Sequence, residues 1–133
     1  MDFQYIAGFF DGEGSFVIRF KPDERYVTGI QVESHINITQ KNLEILKLIQ
    51  EELKMGKIYF HSRDQLWFLN IYKIGDKMKF VELMKDKLFV KKDKLEKFSV
   101  ILEMLKNKQH LSKKGLKKLK MIWSAPETEA NAP

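Results

Sequence analysis

Two carboxylates, Asp11 and Glu13, stand two residues apart in the run Phe10-Asp11-Gly12-Glu13-Gly14-Ser15, with a glycine on each side of Glu13. Carboxylate oxygens hold hard divalent cations, and cations so held activate water and stabilise a leaving oxygen in phosphodiester cleavage. Alone, an Asp-Gly-Glu-Gly-Ser run is only a helix stop and turn. The residues before it carry more information. Residues 3–10 are apolar almost throughout, and Gly8 and Gly12 lie four apart, so a helix there exposes a flat strip free of side chains. Each glycine inside a helix costs about 1 kcal/mol relative to alanine, and close approach of another backbone compensates by dispersion contact. Gly29, Gly56, Gly75 and Gly115 lie in dissimilar contexts, so the partner helix is expected from a second identical chain related by a twofold axis. Such a pair gathers two copies of Asp11 and of Glu13 at its foot, and divalent cations relieve their repulsion. The same glycines are also compatible with tight packing inside one protomer.

The elements that position these groups follow from periodicity. Residues 15–21 alternate, with Phe16, Ile18 and Phe20 on one face and Ser15, Val17, Arg19 and Lys21 on the other, as a strand does. Pro22-Asp23-Glu24 turns the chain. Residues 29–40 alternate again, Ile30, Val32, Ile36 and Ile38 against Gln31, Glu33, His35, Asn37 and Thr39. Residues 41–54 change to a helical period through Leu43, Leu46, Ile49 and Leu53, with Gly56 placed as a helix-ending glycine. A second hairpin is expected from residues 57–61, a turn at 62–64 and residues 65–73, where Trp67, Leu69 and Ile71 alternate. After Gly75, helices are expected around 77–85, 93–105 and 112–123, with Asp93 and Glu96 as a capping box and Ser112 as a cap. The result is an α+β fold of αββαββα order, its helices covering only the oily face of an antiparallel sheet. We expect one domain over residues 1–123, with a core at 1–105 and a helical extension at 106–123. Residues 124–133 are expected to be a disordered tail.

The net charge of +6 comes from 24 Lys and Arg against 18 Asp and Glu, a balance that suits a polyanionic partner, nucleic acid foremost. Thirteen lysines lie within residues 85–120, although much of that density also suits a solvated helix surface. The absence of cysteine excludes disulfides and thiolate metal sites, leaving oxygen or imidazole as ligands. His35, His61 and His110 have no zinc-site spacing. No apolar run approaches the roughly 18 residues of a membrane span, and the first residues lack the basic start of a secretion signal. A soluble intracellular protein without membrane contact or small-molecule cofactor is expected.

The segment Tyr5-Ile6-Ala7-Gly8-Phe9-Phe10-Asp11-Gly12-Glu13-Gly14-Ser15-Phe16 closely resembles the defining motif of the LAGLIDADG homing endonucleases. Every consensus position holds a chemically similar residue. The resemblance implies a homodimer meeting at Ala7, Gly8, Asp11 and Gly12, and a metal held by Glu13 with the Gly12 carbonyl as a further ligand. It also implies Mg²⁺ as cofactor, Mn²⁺ as a substitute, and Ca²⁺ binding without cleavage. Asp11 then caps or braces the helix end. Gln40 resembles the family's polar residue that orders water around the metals, its other reading being a helix N-terminal residue. Lys91 resembles a basic residue held near the scissile phosphate, where it would stabilise developing charge; Lys92 and Lys94 are the alternatives. The activity implied is double-strand cleavage of a long, pseudo-palindromic DNA site with short 3′ overhangs, in the service of intron mobility, within an archaeal cytoplasm or an organelle. The alternatives are a non-cleaving nucleic-acid binder, such as an intron RNA maturase, and a purely structural dimer.

A twisted antiparallel sheet with a free polar face fits the major groove, where alternating side chains reach base edges. The candidate contacts are Val17, Arg19 and Lys21 on the first strand and Gln31, Glu33, His35 and Asn37 on the second. The second hairpin adds Tyr59, His61, Arg63 and Asn70. Arginine suits guanine, an amide suits adenine, and Glu33 would accept from cytosine, a mixture suited to reading sequence rather than gripping phosphates.

Overall fold

The computed structural model describes residues 1–126. Helix α1 (Phe3–Glu13) starts at Asp2, whose side chain accepts from the Tyr5 amide at 2.8 Å. It runs past residue 10 to include Gly12 and Glu13, so the carboxylates lie in its last turns rather than in a separate turn. Strand β1 (Gly14–Pro22) follows directly. Gly14 makes that junction possible, because a Cβ there would overlap the Phe10 ring.

Strands β2 (Ile30–Gln40), β3 (Lys57–His61) and β4 (Leu66–Ile71) complete a four-stranded antiparallel sheet in the order β1-β2-β4-β3. Its register places Phe16 opposite Ile36 and Gly14 opposite Ile38; Ile36 faces Ile71 and Ile38 faces Leu69. These side chains are buried, and they join Ile6, Ala7 and Phe10 of α1 in one hydrophobic cluster. Helix α2 (Leu43–Leu53) adds Leu46, Ile49 and Leu53 to it. Asn42 caps α2 by accepting from the Ile45 amide at 3.0 Å. The helix ends differently from expectation: Lys54, not a glycine, takes the left-handed conformation at its C-cap, and Gly56, with φ +94°, opens β3 two residues later.

Helix α3 (Ile74–Met84) begins before residue 77 and takes Gly75 into its first turn. Helix α4 (Lys92–Lys106) is preceded by Lys91 at its N-cap and has no side-chain capping bond there. The N-cap therefore stands two residues before the expected cap, and Asp93 lies in the first turn of the helix, where an acid suits the helix dipole. A short 3₁₀ turn leads to α5 (Lys113–Ser124), capped by Ser112 accepting from the Gly115 amide at 3.0 Å. Leu119 of α5 belongs to the main cluster. Ser124, expected in the tail, ends α5, its hydroxyl donating to the Lys120 carbonyl at 2.8 Å. The rest of the expected tail, from residue 127 on, lies outside the described residues. No helix among the described residues is long and apolar enough to cross a membrane.

Candidate active site and nucleic-acid interface

The end of α1 sorts its two acids. The Asp11 carboxylate accepts from the Phe89 amide at 2.7 Å and the Lys91 amide at 3.0 Å, and the Lys91 ammonium donates to the Asp11 carbonyl at 2.6 Å. Asp11 is thus the clamp that ties the loop before α4 to α1. Glu13 is exposed, and it borders a shallow cavity with Gly12, Gly14, Ser15, Thr39, Gln40, Lys41 and Leu66. That places Gln40 at the same opening as Glu13. Its Oε1 also accepts from the Lys41 amide at 2.8 Å, so it braces the approach to α2 as well. Among the basic alternatives, Lys91 stands at the carbonyl end of α1, whereas the Lys94 ammonium lies over the Trp123 ring, 4.3 Å from its centre.

The outward face of α1 is vacant in one protomer. A Cβ built at Gly8 or Gly12 would meet nothing within 4 Å. Among the described residues, these glycines are therefore not packed tightly inside one protomer. Ala7 differs from the expected strip, for it has no exposed surface and packs with Ile6 and Phe10 in the core. Tyr5 stands half exposed beside the strip, and Phe89 and Val90 are 82% and 66% exposed beside the Asp11 clamp.

The polar face of the sheet is continuous. Across β1 and β2 the register sets Arg19 opposite Glu33, Val17 opposite His35 and Lys21 opposite Gln31. Ser15 faces Asn37, Asn37 faces Asn70, and Tyr59 faces Phe68. Arg19 and Tyr59 are exposed. Lys21 reaches Glu33 at 3.1 Å, a surface pair that water weakens and that a ligand can readily exchange. His61 stacks on Phe68 and lies 3.1 Å from Asp64, while Arg63 stands in the exposed turn rather than on a strand. Asn37 and Asn70 are already engaged, joined to each other at 2.6 Å, and Asn70 is only 7% exposed.

Sequence reasoning overlooked Phe68, Tyr72 and Lys77. Alternation from Asn70 places Phe68 and Tyr72 on its face. Lys77 had no such signal. It is 5% exposed, and its ammonium donates to the Ser34 carbonyl at 2.9 Å and hydroxyl at 2.6 Å. Ser34 is a polar residue between Val32 and Ile36 on the oily side of β2, and Lys77 fills that gap. Burial lowers its pKa to about 8. His35 is also held below its ordinary value, by burial first and then by Arg19 and Lys77.

The LAGLIDADG endonuclease family model matches residues 6–99. Two solved homing endonucleases share the fold over most of both chains. The archaeal intron-encoded I-Vdi141I, solved in complex with DNA, is 30% identical, with 91% of this chain and 79% of that one covered at a TM-score of 0.85. I-TnaI is 28% identical, with 98% and 91% covered at 0.86. The LAGLIDADG meganuclease I-CpaMI, bound to uncleaved DNA, is 28% identical at 0.86, but 98% of this chain matches only 46% of that one. Among curated proteins no match was found. The chain belongs to the LAGLIDADG endonuclease family, in its single-motif form. It is by family a DNA-cutting hydrolase of the homing endonuclease kind, a family that depends on divalent metal.

Proposed function

We propose that two copies of this chain, paired through α1, cleave both strands of a long, pseudo-palindromic DNA site, leave short 3′ overhangs and promote mobility of an intron. The observation that carries this reading is the coincidence, at one end of α1, of a glycine strip with nothing beside it and a carboxylate left exposed. A helix that accepts two glycines gains their cost back only when another backbone closes on them. The half-exposed Tyr5, one helical turn before Gly8, gives that strip an apolar neighbour, as a surface that meets a second copy has. The match to less than half of I-CpaMI and to most of I-TnaI supports a unit that works in pairs.

The donors at the opening, the Glu13 carboxylate and the Gly12 carbonyl, are oxygens, which fits a hard cation such as Mg²⁺, with Mn²⁺ as a substitute. Ca²⁺ would occupy the site without supporting cleavage. Among the described residues no cluster of three or more His, Cys, Asp or Glu gathers in one protomer; in the proposed pair a second Glu13 adds to the donor set. Divalent cations there would supply charge neutralisation of the phosphate and an activated water. Because Asp11 is committed to Phe89 and Lys91, the acids available to the paired site are the two copies of Glu13. Gln40 orients groups at the same opening. Lys91 brings positive charge to the carbonyl end of α1, where it stabilises charge that develops on the cleaved phosphate.

DNA lies along the polar face, with Val17, Arg19, Lys21, Gln31, Glu33, His35, Tyr59, His61 and Arg63 toward the bases and Asn37 and Asn70 acting from within. Selection of cleaved duplexes from a random library tests the reading. We expect a recovered site with twofold symmetry; sites without symmetry would contradict pairing. Duplex binding should also weaken steeply with salt, with a slope that scales with the phosphates contacted, and a flat response would argue against the placement in the groove.

A further inference from the structure

We propose that Tyr72 reads a base edge as a hydrogen-bond donor, and that the buried Asn70 sets the direction of its bond. The inference rests on the DNA-groove reading above. Four side chains on the polar face form a one-way relay. The Thr39 hydroxyl donates to Asn37 Oδ1 at 2.8 Å, Asn37 Nδ2 donates to Asn70 Oδ1 at 2.6 Å, and Asn70 Nδ2 donates to the Tyr72 hydroxyl oxygen at 2.9 Å. An amide has one accepting and one donating end. Once Thr39 has donated to Asn37, each amide is oriented by the one before it. The relay therefore delivers a donor to the Tyr72 oxygen and leaves the single phenolic proton with no acceptor inside the chain of bonds.

That proton faces outward. Tyr72 is 49% exposed on the face that carries His35 and Tyr59, whose rings lie 5.5 and 6.5 Å from its own. These rings restrict the Tyr72 side chain, and Asn70, at 7% exposure, has little room to turn over. In the major groove an outward donor is met by guanine O6 or N7, adenine N7 or thymine O4, but is opposed by the cytosine amino group. Tyr72 thus favours guanine, adenine or thymine over cytosine at one base pair of each half-site. Asn70 is a positioning residue: it does not reach DNA, yet it decides whether the phenol presents its proton or its lone pair.

The test is a library selection run in parallel with wild type, Tyr72→Phe and Asn70→Asp, each first checked for folding by circular dichroism. Wild type should favour guanine, adenine or thymine over cytosine at one symmetric pair of positions. Tyr72→Phe should flatten that preference by about 3- to 10-fold, the range of one neutral hydrogen bond, and leave other positions unchanged. Asn70→Asp offers the phenol an acceptor, draws its proton inward and should shift the same position toward cytosine, which a merely structural role for Asn70 would not do. A Tyr72→Phe enzyme that cuts with an unaltered profile overturns the inference and leaves the nuclease reading intact. A wild-type enzyme that cuts no member of the library overturns both. Should Asn70→Asp fail to fold, the Tyr72→Phe profile decides alone.

Discussion

On one side of α1, Ile6, Ala7 and Phe10 have no exposed surface, and Asp11 is tied by hydrogen bonds to the loop before α4. Elsewhere around the helix, a Cβ at Gly8 or Gly12 would meet nothing within 4 Å among the described residues, and Glu13 is exposed. The same eleven-residue helix therefore holds residues whose requirements are met within the chain and residues whose requirements are not. Asp11 and Glu13 make the contrast sharpest. Two residues apart and alike in chemistry, they differ because a helix turns 100° per residue, which points one acid at the protomer's own amides and the other out at the opening. The satisfied residues serve stability, and the unsatisfied ones serve assembly and chemistry.

Substitutions in the two sets should consequently fail in different ways. The largest effect is expected at Glu13. Glu13→Gln keeps the shape and removes the charge, so cleavage in Mg²⁺ should be lost while duplex affinity is roughly retained; full cutting by this variant in a gel assay would remove the metal assignment. Gly8→Leu comes next. The added side chain has open space in the protomer, so the fold should persist while the pair separates, and an unchanged sedimentation profile would count against the helix pair. Asp11→Ala should act oppositely, costing about 1–2 kcal/mol of folding stability through the loss of hydrogen bonds to a charged, partly exposed acceptor. Urea denaturation reads that loss, and a neutral result would mean that the clamp contributes nothing.

The smallest effect concerns Lys77. Its folded pKa of about 8 lies below the ordinary 10.5, so between those values the folded chain has released a proton that the unfolded chain still binds. Stability should then rise with pH across that window. Lys77→Met lacks the term, and wild type should gain on it as pH rises from 8 to 10.5. A constant difference between the two would contradict the charge-burial account.

The unsatisfied features were the legible ones. Gly8, Gly12 and Glu13 break local rules of composition on an apolar helix, and strand alternation separated the oily from the polar face of β1 and β2 without error. Pairwise satisfaction was not legible. Nothing in the spacing indicated that Asp11 would meet residues 89 and 91, that Ala7 would turn inward, or that α4 would begin before Asp93, because each depends on which distant segment packs alongside. Asn37 and Asn70 looked like free readers for the same reason; only the register of β2 against β4 shows them facing each other. Lys77 and Ser34 lie 43 residues apart, and their pairing compensates a polar gap that the alternation of β2 reveals but does not explain.

Pairing of α1 with its own copy is the claim from which the rest follows, and sedimentation equilibrium of the purified chain tests it most directly. The account predicts a species of twice the 15.8 kDa chain mass at micromolar concentration. A chain that remains at 15.8 kDa, free and on DNA, yet cuts both strands of a duplex would contradict it.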